Sequence, residues 1–310
     1  MKNYLGIDIG GTGIKIGIVN ENNELIYKES FPTRKENGSD TVMKDILSHV
    51  SVLVENYKPE CIGVGCPGDK DDDNVSILSA GNIPFKNLHI VQILKDAFGL
   101  EVYLENDGNC ALIGEWLVGS GKGLEDMVMV TIGTGIGGGC IVGGRVLRGL
   151  HNDAGELGHF VIDPSGEECP CGQKGCFEKF ASATALIRQT GIAVKENPSS
   201  ILASIVNENG LDGKSAFNAY KKGCPVAAKV LENYGKRLAD GINGLMFIFA
   251  PELLTLAGGV TRDGDTLFGF VKPHLIFPDR VGISMLQSDA GVIGAALLHN
   301  FADYYLSLRK

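Results

Sequence analysis

At 310 residues the chain can bury a large core, and its length favours two domains over one. It is 44% hydrophobic and 21% charged, with 43 glycines, the make-up of a soluble protein with many tight turns and close backbone approaches. A net charge of −9 argues against a nucleic-acid partner held through phosphates, but not against a small anion bound by backbone N–H groups. The stretch Met1-Lys2-Asn3-Tyr4-Leu5-Gly6-Ile7-Asp8 has no long apolar run, and no later window approaches the ~18 apolar residues of a spanning helix. No secretory signal, membrane span or membrane partner is expected, and the expected location is cytoplasmic. There the eight cysteines should be thiols or metal ligands rather than disulfides.

Leu5, Ile7 and Ile9 alternate with small or polar residues, as do Ile14, Ile16 and Ile18, and Gly10-Gly11-Thr12-Gly13 lies between them. This pattern predicts a β-hairpin. Asp8 ends the first strand against a turn in which glycine permits the positive φ of an anion-binding nest. It could hold Mg²⁺ through water on a nucleotide phosphate. No Gly-Lys-Ser/Thr follows, and no Gly-x-Gly-x-x-Gly enters a helix, so neither common nucleotide fingerprint is present. Taken singly, the hairpin also reads as a plain structural turn.

Val42, Ile46, Val50 and Leu53 give residues 41–56 helical spacing ahead of Pro59. Residues 61–66 read as a buried strand running into Pro67-Gly68, and the acidic run 69–73 as a solvated loop. A helix is predicted over 91–98, a strand over 101–104 and a helix over 107–118. Asp107 follows Glu105-Asn106 at the start of that helix, where the N-terminus stabilises a carboxylate. It reads either as a cap or as a general base for a substrate hydroxyl, since phosphoryl transfer uses one carboxylate to orient the attacking oxygen. The run Gly119-Ser120-Gly121-Lys122-Gly123 marks a domain boundary. An N-terminal α/β domain over 1–118 and a C-terminal one over 119–290 are expected.

Roughly 120 residues after the first hairpin comes a second of the same design, which suggests internal duplication. Val128 to Ile132 leads into Gly133-Thr134-Gly135-Ile136-Gly137-Gly138-Gly139, then Cys140 to Val142. Further on, Gly155-Glu156-Leu157-Gly158 runs into His159, followed by Cys169-Pro170-Cys171-Gly172-Gln173-Lys174-Gly175-Cys176-Phe177-Glu178. One imidazole and three thiols can close on a single tetrahedral zinc, and such a closed set holds structure rather than activating water. The other ring nitrogen of His159 would then need a partner, for which a ligand hydroxyl is a candidate. Cys61, Cys66, Cys110, Cys140 and Cys224 sit in apolar surroundings and read as core. Residues 225–250 form a long helix closed by Pro251, 253–260 a strand running into the turn at Gly258-Gly259, and 291–306 a final helix. Strands alternating with helices indicate an α/β fold of layered sheets. Three glycine turns, each after an apolar strand, favour nucleotide binding in a cleft between the domains.

These motifs together resemble the ROK family of sugar kinases and sugar-responsive repressors, nearest its glucokinase branch. The likeness is carried by Asp8-Ile-Gly-Gly-Thr12, Gly65-Cys-Pro-Gly68, Glu105-Asn-Asp107, Gly133-Thr-Gly-Ile-Gly-Gly138, Ala154-Gly-Glu-Leu-Gly-His159, Cys169 to Glu178 and Ala257-Gly-Gly-Val260. It implies a duplicated, actin-like (ribonuclease H-like) α/β fold of two domains with ATP and sugar in the cleft, and a last helix (291–310) packed back on the first domain. It implies ATP-dependent phosphorylation of a hexose at the 6-hydroxyl, with Asp107 as base and Asn82, Asn106, Glu156, His159 and Glu178 holding the other hydroxyls. Gly10, Gly11, Thr12, Gly133, Thr134 and Gly135 would cradle the phosphates beside Asp8 and Mg²⁺, with Gly258 and Gly259 near the nucleoside. A structural Zn²⁺ would join His159, Cys169, Cys171 and Cys176, and a homodimer is the family's common state. Where many glucokinases of the family read Asn-Leu-Pro-Gly-Trp, this chain reads Asn82-Ile83-Pro84-Phe85-Lys86. Glucose is the expected hexose, with mannose, fructose, N-acetylmannosamine and N-acetylglucosamine as alternatives. The family's repressors carry an added helix-turn-helix, whereas here the first hairpin begins a few residues from Met1, so an enzyme is expected.

Overall fold

A computed structural model describes residues 2–81, 83–150 and 154–309. In chain order the elements begin with β1 (Asn3–Ile9), β2 (Gly13–Asn20), β3 (Leu25–Pro32), α1 (Ser39–Tyr57) and β4 (Cys61–Gly65). Next come β5 (Asp69–Lys70), β6 (Ile77–Ser79), β7 (Lys86–Leu88), α2 (Ile90–Phe98), β8 (Glu101–Glu105) and α3 (Asp107–Leu117). They continue with β9 (Met127–Ile132), β10 (Ile136–Val142), β11 (Arg145–Val146), α4 (Phe177–Ala181), α5 (Ala183–Glu196), α6 (Ile201–Asn209) and α7 (Ser215–Lys221). The remainder are α8 (Pro225–Phe249), β12 (Leu253–Ala257), α9 (Gly264–Val271), β13 (Val281–Ile283), α10 (Ala290–Ala296) and α11 (Ala302–Leu308). Two compact units result. The first joins Met1–Gly123 to Val146–Ala154 and Met285–Lys310, and the second joins Leu124–Arg145 to Gly155–Ser284.

In the first unit the sheet order is β3-β2-β1-β4-β8, with β1 and β2 an antiparallel hairpin and β1, β4 and β8 parallel. Every residue of β4 is buried, as expected of a parallel strand covered on both faces. α1 covers one face with Val42, Met43, Ile46, Val50 and Leu53. Backbone-to-backbone contact seats α10 against the sheet: a Cβ at Gly6 would strike the Val292 carbonyl, and one at Gly63 the Ala295 carbonyl. Gly294 likewise lies against the Cys110 carbonyl of α3. The predicted continuous last helix is instead α10, a 3₁₀ stretch over Leu297–Phe301, and α11. His299 Nδ1 bonds the Ala296 carbonyl at 3.1 Å and Asn300 Nδ2 donates to the Leu297 carbonyl at 3.0 Å, so side chains compete with the i→i−4 ladder there. The acidic run also departs from a plain loop. Asp69 and Lys70 pair with β6, and Asp71 Oδ1 accepts from the Val75 and Ser76 N–H groups at 2.7 and 2.9 Å.

The second unit repeats the plan with the order β11-β10-β9-β12-β13, again an antiparallel hairpin (β9–β10) followed by parallel strands. α8 opens with Pro225 in its first turn and stops at Ala250 (φ 46°) before Pro251. Its Gly241 leaves room for the ring of Phe177, which is fully buried. β12 ends at Ala257, three residues short of the strand predicted to Val260. At Gly258 (φ 102°) any Cβ would meet the Ile132 carbonyl, so the chain leaves the sheet there and enters a 3₁₀ turn over Gly259–Asp263. Among the described residues no helix is long and apolar enough to cross a membrane, and Cys61, Cys66, Cys110, Cys140 and Cys224 are all buried thiols.

Candidate active site and metal cluster

Register fixes the carboxylates of the first unit. Asp8 pairs with Gly65 and Gly65 with Glu105, so β1, β4 and β8 end in line, and ligand sites of parallel sheets lie beyond such carboxyl ends. α3 starts close to β4 because Gly65 has no side chain: a Cβ there would lie 2.9 Å from Cys110 Sγ and 3.6 Å from Asp107 Cα. Asn106, not Asp107, caps α3, its Oδ1 accepting from Gly108 N at 2.8 Å and Asn109 N at 3.3 Å. Asn and Asp cap about equally well, so adjacent positions could not be ranked from the sequence. The cap releases the Asp107 carboxylate from that duty and leaves Asn106 its Nδ2 to donate to a ligand. Burial raises the Asp107 pKa, opposed by the Gly108 N–H and the Lys70 cation. Lys70 is a site residue the sequence reading missed by grouping it with the acidic run.

Asp8, 20% exposed, stands 3.9 Å from Lys15 Nζ. Burial pushes its pKa up to about 6, Lys15 opposing and the nearby Asp107 charge adding to the rise. Gly291 makes room for this carboxylate, since a Cβ there would lie 2.6 Å from Oδ2. The adjoining turn is closed by Gly10 N–H to Gly13 O at 3.0 Å and tied down by Thr33, whose Oγ1 donates to Gly10 O at 2.5 Å. Positive φ is not what these glycines supply: neither Gly10 to Gly13 nor Gly133 to Gly139 adopts it. They supply closeness. A Cβ at Gly10 would lie 2.9 Å from Gly13 O, and one at Gly138 would strike the Met129 carbonyl.

In the second unit β9 and β12 run parallel, Thr131 opposite Ala257, which brings the turns Gly133–Gly135 and Gly258–Gly259 together. Gly10 to Thr12 belongs to the other unit. The segment after the cysteines holds the Gly133–Gly135 turn. Glu178 Oε2 accepts from Ile136 N at 2.9 Å, Ala183 N donates to Gly133 O at 2.9 Å, and Thr184 Oγ1 donates to Thr134 O at 2.6 Å. Glu178 therefore spends one oxygen on the turn and has the other for a ligand.

His159 Nδ1 and the sulfurs of Cys169, Cys171 and Cys176 lie within 4.8 Å of one another. Nδ1 is 3.5 Å from Cys169 Sγ, and the sulfurs of Cys171 and Cys176 are 3.5 Å apart. Tetrahedral zinc places its N and S ligands roughly 3.5–3.8 Å from each other, so the donor set and its spacing fit that metal. The knuckle is closed by Cys169 N–H to Gln173 O at 2.8 Å, with Gly172 at φ 91°. The Gln173 backbone N–H draws the Cys171 thiol down to about 7, while burial pushes Cys176 up to about 12. Cys176 also precedes α4, the helix that carries Glu178. The outer ring nitrogen of His159, Nε2, faces Glu156 Oε2 at 4.0 Å. Asn82 lies outside the described residues.

Comparison with known proteins gives this arrangement a setting. The chain is 33% identical over 302 residues to a glucokinase of Thermotoga maritima, covering 94% of this chain and 95% of that protein. It is 27% identical to a xylose repressor of Caldicellulosiruptor bescii, over 94% of this chain and 76% of the repressor. A crystal structure of a ROK family glucokinase from Streptomyces griseus, in complex with glucose and AMPPNP, matches with a TM-score of 0.80 at 30% identity, over 96% of this chain and 98% of that one. The two like-ordered sheets are thus the duplicated, actin-like sugar-kinase fold. Residues 4–301 match the ROK family itself, and to that family the chain belongs.

Proposed function

We propose that the protein transfers the γ-phosphoryl group of ATP to the 6-hydroxyl of a hexose, glucose above all. The observation that carries this reading is Asp107: a half-buried carboxylate of raised pKa, released from capping, beside the carboxyl ends of the parallel strands where Asp8 also lies. As the sugar oxygen attacks phosphorus, Asp107 accepts its proton, and the bond from the γ-phosphorus to the bridging oxygen breaks to leave ADP. Such a reaction needs little covalent help from the protein and much positioning. Asn82, Asn106, Glu156, His159 and the second oxygen of Glu178 are assigned to the remaining hydroxyls. The turns at Gly10–Thr12 and Gly133–Gly135 are assigned to the phosphates, and Gly258-Gly259 to the nucleoside.

Asp8 would hold Mg²⁺, whose charge offsets that developing on the phosphates. His159, Cys169, Cys171 and Cys176 would hold Zn²⁺, which fixes the knuckle and supplies no chemistry. The reading is tested with the zinc-loaded protein, ATP and a panel of hexoses, following ADP release. Glucose is expected to give the highest kcat/KM. No hexose-dependent ADP release would sink the kinase reading, and a different preferred hexose would sink glucose alone.

Asp8 also sets a pH dependence. Its folded pKa lies above the ordinary carboxylate value, at about 6, because burial disfavours the charge. The ionised form needed for Mg²⁺ dominates only above that pH. Affinity for Mg·ATP should therefore fall about tenfold per unit as pH drops below 6 and level off above it. Calorimetric binding without sugar isolates this from Asp107, which acts in the transfer step. A flat affinity between pH 5 and 7 would refute the assignment.

A further inference from the structure

One buried constellation remains unused by that mechanism. The Glu105 side chain has no exposure, and each of its oxygens accepts two hydrogen bonds. Oε1 takes Asn106 N at 2.9 Å and Asn109 Nδ2 at 3.1 Å, both on the first turn of α3. Oε2 takes Arg148 Nε at 3.0 Å and the Tyr305 hydroxyl at 2.8 Å. The same hydroxyl accepts from Arg148 Nη2 at 3.2 Å. The guanidinium lies against Tyr304, 4.2 Å from its ring centroid, with Tyr305 at 5.6 Å and Phe301 at 6.0 Å. Three stretches distant in sequence (β8 with α3, the Val146–Ala154 segment, and α11) thus converge on one carboxylate beside Asp107.

A buried ion pair is weak evidence for stability, since desolvating both charges consumes most of their attraction. What this network imposes is geometry. With four bonds converging on it, Glu105 cannot rotate, and Asn106 and Asn109 cannot shift without breaking a charge-assisted hydrogen bond. We infer that Glu105, Arg148 and Tyr305 are positioning residues for the phosphoryl-transfer step, locking the first turn of α3 so that Asp107 meets the substrate hydroxyl. This rests on Asp107 being the base, and it gives the loop cation Arg148 and the aromatic residues of the last helix a part in catalysis through that turn.

The test compares Tyr305→Phe, Arg148→Lys, Asp107→Asn and the double variant Asp107→Asn/Tyr305→Phe in the full-length, zinc-loaded protein. Each is assayed well below its own melting midpoint. Tyr305→Phe is expected to lower kcat about tenfold and Arg148→Lys by up to about a hundredfold, with KM for ATP within about twofold, as for a misplaced catalytic group. The Tyr305→Phe loss should vanish in the Asp107→Asn background, because residues that act through one another are non-additive. If both single variants keep kcat within about twofold and only melt earlier, the network is a fold staple and the inference is wrong. A Tyr305→Phe loss that persists in the double variant would also overturn it. Should Arg148→Lys fail to fold, Tyr305→Phe, which removes one oxygen, still decides. An Asp107→Asn variant within about tenfold of the parent would sink the base reading itself. An inactive Asp107→Asn beside unimpaired Tyr305→Phe and Arg148→Lys would sink only the positioning.

Discussion

Asp107→Asn is expected to lower kcat for hexose phosphorylation by about 10²–10⁴-fold, the usual contribution of a positioned general base. The substitution is nearly isosteric and removes the proton acceptor alone. The cap of α3 is unaffected, since Asn106 supplies it. The folded state should, if anything, gain, because burial already disfavours the Asp107 charge. The signature is therefore a large fall in kcat with binding of sugar and ATP nearly unchanged and a melting midpoint no lower than the parent's. Stopped-assay kinetics with isothermal titration would read all three. Comparable kcat for variant and parent would place the base elsewhere.

Removing the metal should have the second largest effect. Structural zinc contributes about 10–16 kcal/mol in isolated finger peptides, where it drives folding outright. Here the knuckle is partly held without it, through the bridge between Val161 and Cys176 and the buried Phe177 beneath. About 3–5 kcal/mol is a reasonable share, which in a domain of this size corresponds to roughly 10 °C in melting midpoint. The damage should reach function, because α4 carries Glu178 and the turn Gly133–Gly135 hangs from Glu178, Ala183 and Thr184. KM for hexose and for ATP should both rise, and zinc should restore them. Differential scanning calorimetry before and after chelation checks the first point. A verified metal-free sample that melts with the parent and keeps its sugar affinity would remove the metal from this role. Since Cys176 must lose a proton at a thiol lifted to about 12, zinc uptake should also weaken as pH falls.

The parts of the fold legible in the sequence were those written in local periodicity. Both hairpins, α1, α2 and α8 follow from apolar spacing and from Pro or Gly at their ends. The knuckle was legible because four ligands, one His and three Cys, at short spacing have few other uses. What escaped depended on partners far along the chain. Arg148 is one cation in a glycine-rich loop, and nothing near it announces Tyr304 and Tyr305. The break between α10 and α11 hides inside an apolar run, because it comes from His299 and Asn300 folding back on carbonyls. The glycines of the two hairpins were legible as turns, but their reason was misread, since they supply room rather than φ: Gly10 for the Gly13 carbonyl of its own turn, Gly138 for the Met129 carbonyl of the facing strand and for Leu157.

The seat of α10 against Gly6 and Gly63 has a consequence for biosynthesis. The first strands leave the ribosome early, yet the helix that covers them is made roughly 170 residues after Gly123, about 10–30 s later at ordinary translation rates. During that interval the sheet lacks the cover that α10 brings to Gly6, Gly63, Tyr4, Val19 and Leu25, while the stretch Gly155–Ser284 is completed and free to fold. The nascent chain should thus mature from its middle outward, with the N-terminal sheet consolidating last. Chains halted before Val292 would carry that uncovered face, and with it an opening for chaperones and for self-association.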